Sequence, residues 1–178
     1  ERLKNNSFIK SNISENLETT KIDKKYFLIN NTKDLNRLIT IIKKTDYFAI
    51  DTETNSLNIE EANLVGVSIA VNENSAYYIP LNHKNLEDKK RLKDQLKESE
   101  LIKLLQPICN DPSILKIGHN IKYDLRILDK YDLKLTSIAD MMLLSYAVDN
   151  GATKHNMDDL AYLHFNHTNI KFKELVGS

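Results

Sequence analysis

The sequence predicts an α/β chain, a mixed β-sheet with helices packed against it. Three observations carry this. Short continuous apolar runs such as Tyr47–Ile50 read as buried strands. Elsewhere apolar residues recur at helical spacing, as in Leu35, Leu38, Ile39 and Ile42. The elements run as strands first and then as strands alternating with helices, the order of a mixed sheet with covering helices. Composition agrees: 178 residues, 41% hydrophobic and 28% charged, suffice for one domain with a core and exclude wholesale disorder.

In chain order, residues 1–25 are polar without a clear period and read as a linker or N-terminal arm before a domain over 26–178. Tyr26–Ile29 is a short strand, and Thr32 caps the helix that carries Leu35 to Ile42. Tyr47–Ile50 is a central strand. Residues 63–71 and 75–80 are two more, joined by the turn-like stretch Asn72–Asn74. Residues 84–98 are heavily charged and read as a solvated surface helix or a long loop. Ser99 caps a helix carrying Leu101, Leu104, Leu105 and Ile108. Ile114–Ile117 is a strand, Gly118 a turn, and 120–131 a helix that Asn120 caps. Another helix covers 138–148. Asn156 with Asp159 resembles a capping box opening a helix through Leu163.

Formal net charge is zero, from 25 basic and 25 acidic side chains. That total neither supports nor excludes nucleic acid, because phosphate contact depends on local patches. No run of 18 apolar residues exists, so no membrane partner is expected. Residues 1–31 lack the apolar segment of a signal peptide. The lone Cys109 rules out an internal disulfide and reads as buried and inert, and a reducing, cytoplasmic location is expected. The chain does not begin with Met and reads as a piece of something longer.

Two segments carry chemistry. Asp51-Thr52-Glu53 directly follows Tyr47–Ile50, and strand alternation turns Asp51 and Glu53 to the same side. Two carboxylates at the mouth of a buried strand call for a compensating cation. Oxygen donors of this kind suit Mg²⁺ or Mn²⁺. Alone, the tripeptide reads as a pair of solvated acids, because acid-x-acid is common. The second segment is Gly118-His119-Asn120-Ile121-Lys122-Tyr123-Asp124. Glycine permits the sharp strand-to-helix turn, and Asn120 and Asp124 are four apart on one helix face. That face continues through Ile127, Leu128 and Tyr131, so Asp124 is an acid on an apolar stripe. Alone, Asp124 is equally a surface acid and Asn120 a cap. Together, the acids can hold two divalent ions about 4 Å apart for phosphodiester cleavage, one generating the attacking hydroxide and one stabilising the leaving 3′ oxygen. Asp51 is then the bridging ligand.

FAIDTETNSL at 48–57 and GHNIKYDLRIL at 118–128 resemble the first two motifs of the 3′→5′ proofreading exonuclease domain of bacterial family-A DNA polymerases of the polymerase I type. That domain is a DEDD-superfamily member with an RNase H-like fold. ANLVGVSIAV, AYYIPLNH, IADMMLLSYAVDN and KHNMDDLAYLHF resemble the same family in order and spacing. The resemblance covers Tyr26 to Ser178. It implies Asp51, Glu53 and Asp124 as catalytic metal ligands. It implies Leu57 as a wedge against the terminal bases of a frayed single-stranded DNA 3′ end and Phe172 as a second apolar residue in that site. Asn120 and Tyr123 line the site near the terminal nucleotide. Leu57, Tyr123 and Phe172 have core packing as their alternative roles, and Lys154 has phosphate contact against a solvated charge. His119, His155 and His164 lack metal-ligand spacing with cysteines and read as non-ligands.

Two divalent cations, a dNMP product and a covalently linked polymerase domain follow from the resemblance. The family's third motif, a Tyr with an Asp four residues later, is expected after Ser178, and Asp158 and Asp159 do not replace it. The chain therefore holds three of four carboxylates and is expected to be weakly active or inactive in isolation. Asp140 precedes Met141 where the family commonly has threonine. Two alternatives stand beside the main reading: a vestigial exonuclease scaffold of a polymerase, and a stand-alone RNase D-type exonuclease.

Overall fold

The computed structural model describes residues 24–85, 87–149, 154–170 and 174. They fall into two units. One lies within 23–150 and contains β1 (Lys25–Leu28), α1 (Thr32–Thr45), β2 (Tyr47–Thr54), β3 (Leu64–Asn72), β4 (Ser75–Pro80), α2 (Glu98–Cys109), β5 (Leu115–Gly118), α3 (Lys122–Asp129), β6 (Ile138–Asp140) and α4 (Met141–Asp149). The described residues of the other are 154–170 and 174, with the helix α5 (Met157–Phe165).

All six strands form one mixed sheet in the order β1-β4-β3-β2-β5-β6. β3 runs antiparallel to β2 and β4, whereas β1 pairs with β4, β5 with β2 and β6 with β5 in parallel. This is the RNase H-like mixed sheet with flanking helices that the motifs imply.

Strand alternation sorts the two faces of the sheet. Phe48, Ile50, Val67, Ile69, Val71 and Ile79 are buried in the core. Leu35, Leu38 and Ile42 of α1 and Leu101, Leu105 and Ile108 of α2 are at most 1% exposed in the same core, each worth about 2 kcal/mol of burial. The intervening positions, Ala49, Asp51 and Glu53 on β2 and Gly66, Ser68 and Ala70 on β3, share the opposite face. The side chains on β3 there are small.

Several boundaries differ from expectation. Asn31, not Thr32, caps α1, its side chain accepting from Asp34 N at 2.9 Å. A cap must lie one residue outside the helix, and Thr32 is already helical. Likewise α2 starts before Ser99, and the Glu100 carboxylate accepts from Lys97 N at 3.2 Å. Residues 138–140 form β6 rather than a first helical turn, because Lys116 to Gly118 offer them a parallel partner.

The charged stretch after β4 is a long loop, not a surface helix. Arg91 braces it by donating to Leu81 O at 2.9 Å and Leu96 O at 2.7 Å. Asn156 caps α5 as expected, accepting from Asp159 N at 2.9 Å. Cys109 is fully buried, and burial pushes its thiol up to about 12, so it stays protonated.

Candidate active site

β2 outruns its parallel neighbour. It pairs with β5 over Tyr47–Ala49, and the acids begin two residues later. β5 ends at Gly118, where a Cβ would overlap the Ile121 side chain, so the tight turn into α3 excludes larger residues. Asn120 continues the turn in left-handed conformation, φ 57°. It is exposed and lies outside the helix, so it neither caps α3 through its side chain nor shares a helix face with Asp124. Its expected capping role passes to Asp140 at the end of β6. The Asp140 carboxylate accepts from Asn120 N at 3.0 Å and Ile121 N at 3.1 Å, and from Met142 N at 2.9 Å where α4 begins. One acid thus satisfies the starts of two helices. Reading 138–148 as one helix hid that role.

Asp124 lies in the first turn of α3 and is 4% exposed. Its Oδ1 accepts from Thr52 N at 2.8 Å and Thr52 Oγ1 at 2.6 Å. Thr52 separates Asp51 from Glu53, so this one oxygen ties the two sequence motifs together across 72 residues. Asp51 is half-buried and Glu53 exposed.

Burial, then the nearby Asp124 and Glu53 carboxylates, push Asp51 up to about 6. Burial also raises Asp124, and the Thr52 hydrogen bonds oppose that rise. Among the described residues, no lysine, arginine or histidine forms an ion pair with any of the three acids. The donor set is hard oxygen with uncompensated negative charge, which fits a divalent cation. The acids gather at one end of β2 without closing a cage: among the described residues, no three His, Cys, Asp or Glu side chains converge enough to share an ion.

The loop between β2 and β3 presents Leu57, 93% exposed, which removes its core alternative. This loop is held from α3 and the turn after it. Tyr123 packs against the core, and its hydroxyl bonds Thr54 Oγ1 at 2.6 Å and donates to Ser56 O at 2.8 Å. The Lys130 ammonium donates to Ile59 O at 2.9 Å and Ala62 O at 2.6 Å. Tyr131 Oη accepts from Leu64 N at 2.9 Å. Tyr123 thus packs against the core and also pins the chain just before Leu57. Lys130 was not singled out from the sequence and Tyr131 counted only toward the apolar helix face, because a lysine and a tyrosine at helical spacing look like any amphipathic edge. Phe172 lies outside the described residues, and Lys154 is exposed.

Residues 26–178 match the family of the 3′–5′ exonuclease of A-type DNA polymerases. DNA polymerase I of Pseudomonas aeruginosa is 37% identical over 139 residues, 76% of this chain and 15% of that protein. DNA polymerase I of Rhizobium leguminosarum is 35% identical over 166 residues, 86% of this chain and 16% of that one. The chain thus spans about a sixth of the length of these relatives. Among solved structures, Brucella melitensis NrnC with bound Mg²⁺ superposes with a TM-score of 0.55 at 19% identity, over 86% of this chain and 67% of that one, a likeness of fold. With the sheet order, the two motifs joined at Thr52 and this match over nearly the whole described chain, the protein belongs to the 3′–5′ exonuclease domain family of A-type DNA polymerases.

Proposed function

We propose that this domain removes nucleotides one at a time from a frayed DNA 3′ end, releasing dNMP, as the proofreading part of a polypeptide that also carries a polymerase domain. The observation that carries the reading is the Thr52–Asp124 contact, which sets Asp124 against the strand that bears Asp51 and Glu53. Asp51, Glu53 and Asp124 would hold two divalent cations, Mg²⁺ or Mn²⁺. Bound there, the cations supply the Lewis acidity that activates water and neutralises charge developing on the leaving 3′ oxygen. The Mg²⁺ bound by NrnC, a protein of the same fold, is consistent with that choice.

Asp124 keeps its orientation because two Thr52 donors occupy Oδ1, which leaves Oδ2 for a ligand. Leu57 wedges against the terminal base, a sequence-tolerant contact suited to any mismatched end. Phe172 supplies a second apolar surface, and Asn120 and Tyr123 border the terminal nucleotide.

The test uses single-stranded and 3′-mismatched DNA labelled at the 5′ end, with Mg²⁺ or Mn²⁺. It is applied to this chain and to the polypeptide of its complete reading frame. Stepwise shortening from the 3′ end that Asp51→Ala, Glu53→Ala and Asp124→Ala each abolish is expected from the complete polypeptide. Cleavage that survives these substitutions overturns the assignment. No cleavage by either protein makes the domain a scaffold.

A further inference from the structure

β4 brings to the carboxylate face a residue outside both motifs. Tyr78 stands opposite Ser68, and Ser68 opposite Asp51. Directly opposed residues project from one face of a sheet, so Tyr78 shares the face of Asp51 and Glu53. One rung further, Glu53 faces Gly66. The missing side chain at Gly66 matters, because a Cβ there would overlap the Tyr78 hydroxyl and the outer carbons of its ring. The ring thus lies across Gly66, and its hydroxyl end covers the position opposite Glu53.

The hydroxyl is itself held. Tyr78 Oη lies 2.6 Å from His83 Nε2, and the two rings meet edge to face with centroids 5.7 Å apart. The His83 backbone is clamped by the side chain of Gln95, whose Oε1 accepts from His83 N at 2.7 Å and whose Nε2 donates to His83 O at 3.0 Å. The charged loop after β4 therefore ends in a rigid mount for one phenol. A phenolic oxygen can both accept and donate, so with His83 Nε2–H as donor to it, Tyr78 keeps its own proton for a second partner. Burial and the neighbouring Glu53 charge keep that phenol protonated, pushed up to about 12. Meanwhile the Glu53 carboxylate is exposed and has no hydrogen-bond partner among the described residues, whereas Asp124 has two donors from Thr52.

We propose that Tyr78, mounted on His83 and lying across Gly66, is a positioning residue that hydrogen-bonds the Glu53 carboxylate and fixes its rotamer in the working site. The inference rests on the nuclease reading of Glu53 given above. It assigns the AYYIPLNH segment a part in the site that neither acidic motif carries.

The test compares Tyr78→Phe with wild type, since phenylalanine keeps the ring and removes only the hydroxyl. Three quantities are measured on the complete polypeptide: Mn²⁺ affinity by electron paramagnetic resonance without DNA, kcat and KM on single-stranded DNA, and the melting temperature. A fourth, the Glu53 side-chain carboxyl resonance in ¹³C NMR, is measured on this chain without metal. Loss of a group that orients a ligand costs about 10- to 100-fold. The expected result is a fall of about 10-fold in kcat and a weaker Mn²⁺ affinity, with KM and melting temperature unchanged and the carboxyl resonance shifted. In a Glu53→Gln background, Tyr78→Phe has no further effect on Mn²⁺ affinity.

Wild-type values in Tyr78→Phe, the same loss of affinity in the Glu53→Gln background, or a kcat loss that tracks a lower melting temperature overturns the proposal. If the wild-type protein neither binds Mn²⁺ nor cuts, the nuclease reading falls, and the carboxyl resonance alone decides whether Tyr78 holds Glu53.

Discussion

Folding makes Asp51 harder to ionise, from an unfolded value of about 3.9 to about 6. Between those values the folded, metal-free chain keeps a proton that the unfolded chain has lost. The contribution of Asp51 to stability therefore falls as pH climbs from about 4 to about 6 and stays low above. After screening of this partly exposed group, the loss is about 1–2 kcal/mol. Asp51→Asn, which cannot ionise, is expected to raise the melting temperature in EDTA at pH 7.5, to give no gain at pH 4, and to abolish cleavage. Thermal melts at the two pH values decide it. Thr52→Val removes the hydroxyl that donates to Asp124 at 2.6 Å and is expected to cost about 1–2 kcal/mol, read by denaturant unfolding. The backbone donor of Thr52 remains, so Asp124 keeps half of its support and activity falls without vanishing.

At the scale of elements, α3 and the turn that follows it do two things. They bury Asp124 against β2 and clamp the loop that presents Leu57. Lys130→Met keeps the aliphatic stem but removes the donors to Ile59 O and Ala62 O. The expected cost is about 1 kcal/mol, with faster amide exchange confined to 57–63 and a raised KM for single-stranded DNA, while Mn²⁺ affinity is unchanged. Buried Lys116 on β5 is a second brace, donating to Asp111 O at 2.7 Å and Ile114 O at 2.8 Å. Lys116→Met strands both carbonyls and is expected to cost about 2–3 kcal/mol, read by denaturant unfolding. Periodicity made the strand and helix cores legible, since Leu35 to Ile42 and Val67 to Val71 must repeat with their elements. Caps were less legible, because neighbouring residues such as Asn31 and Thr32 are both capable and backbone angles choose between them. The acids of the site were readable as motifs. What supports them was not: Asp140, Lys130, Tyr78 and His83 act through contacts made only after the sheet assembles, and no local pattern marks them.

Across the larger unit, one end of the sheet carries open apolar surface. Ile138 and Met141 are about two-fifths exposed, Leu144 49% and Leu143 62%. Ile138, Leu143 and Leu144, with Ile121 and Leu125, border a groove between α3, β6 and α4. The double change Leu143→Ser, Leu144→Ser is expected to lower binding of a hydrophobic dye severalfold and to shift the melting temperature little, since neither side chain is buried. Among the described residues, no helix is long and apolar enough to cross a membrane.

The clamp between α3 and the β2–β3 loop also bears on how such domains diverge. Tyr123 holds Ser56 and Lys130 holds Ile59 and Ala62, so the spacing from Asp51 to Leu57 is measured against a helix that also carries Asp124. An inserted residue between Ser56 and Ala62 would slide the wedge relative to the acids, whereas one at the β3–β4 hairpin, 73–74, would move neither. Among descendants of this chain, length should therefore be conserved in the first loop and drift in the second. Positions 56 to 62 and positions 123 and 130 should change as coordinated sets.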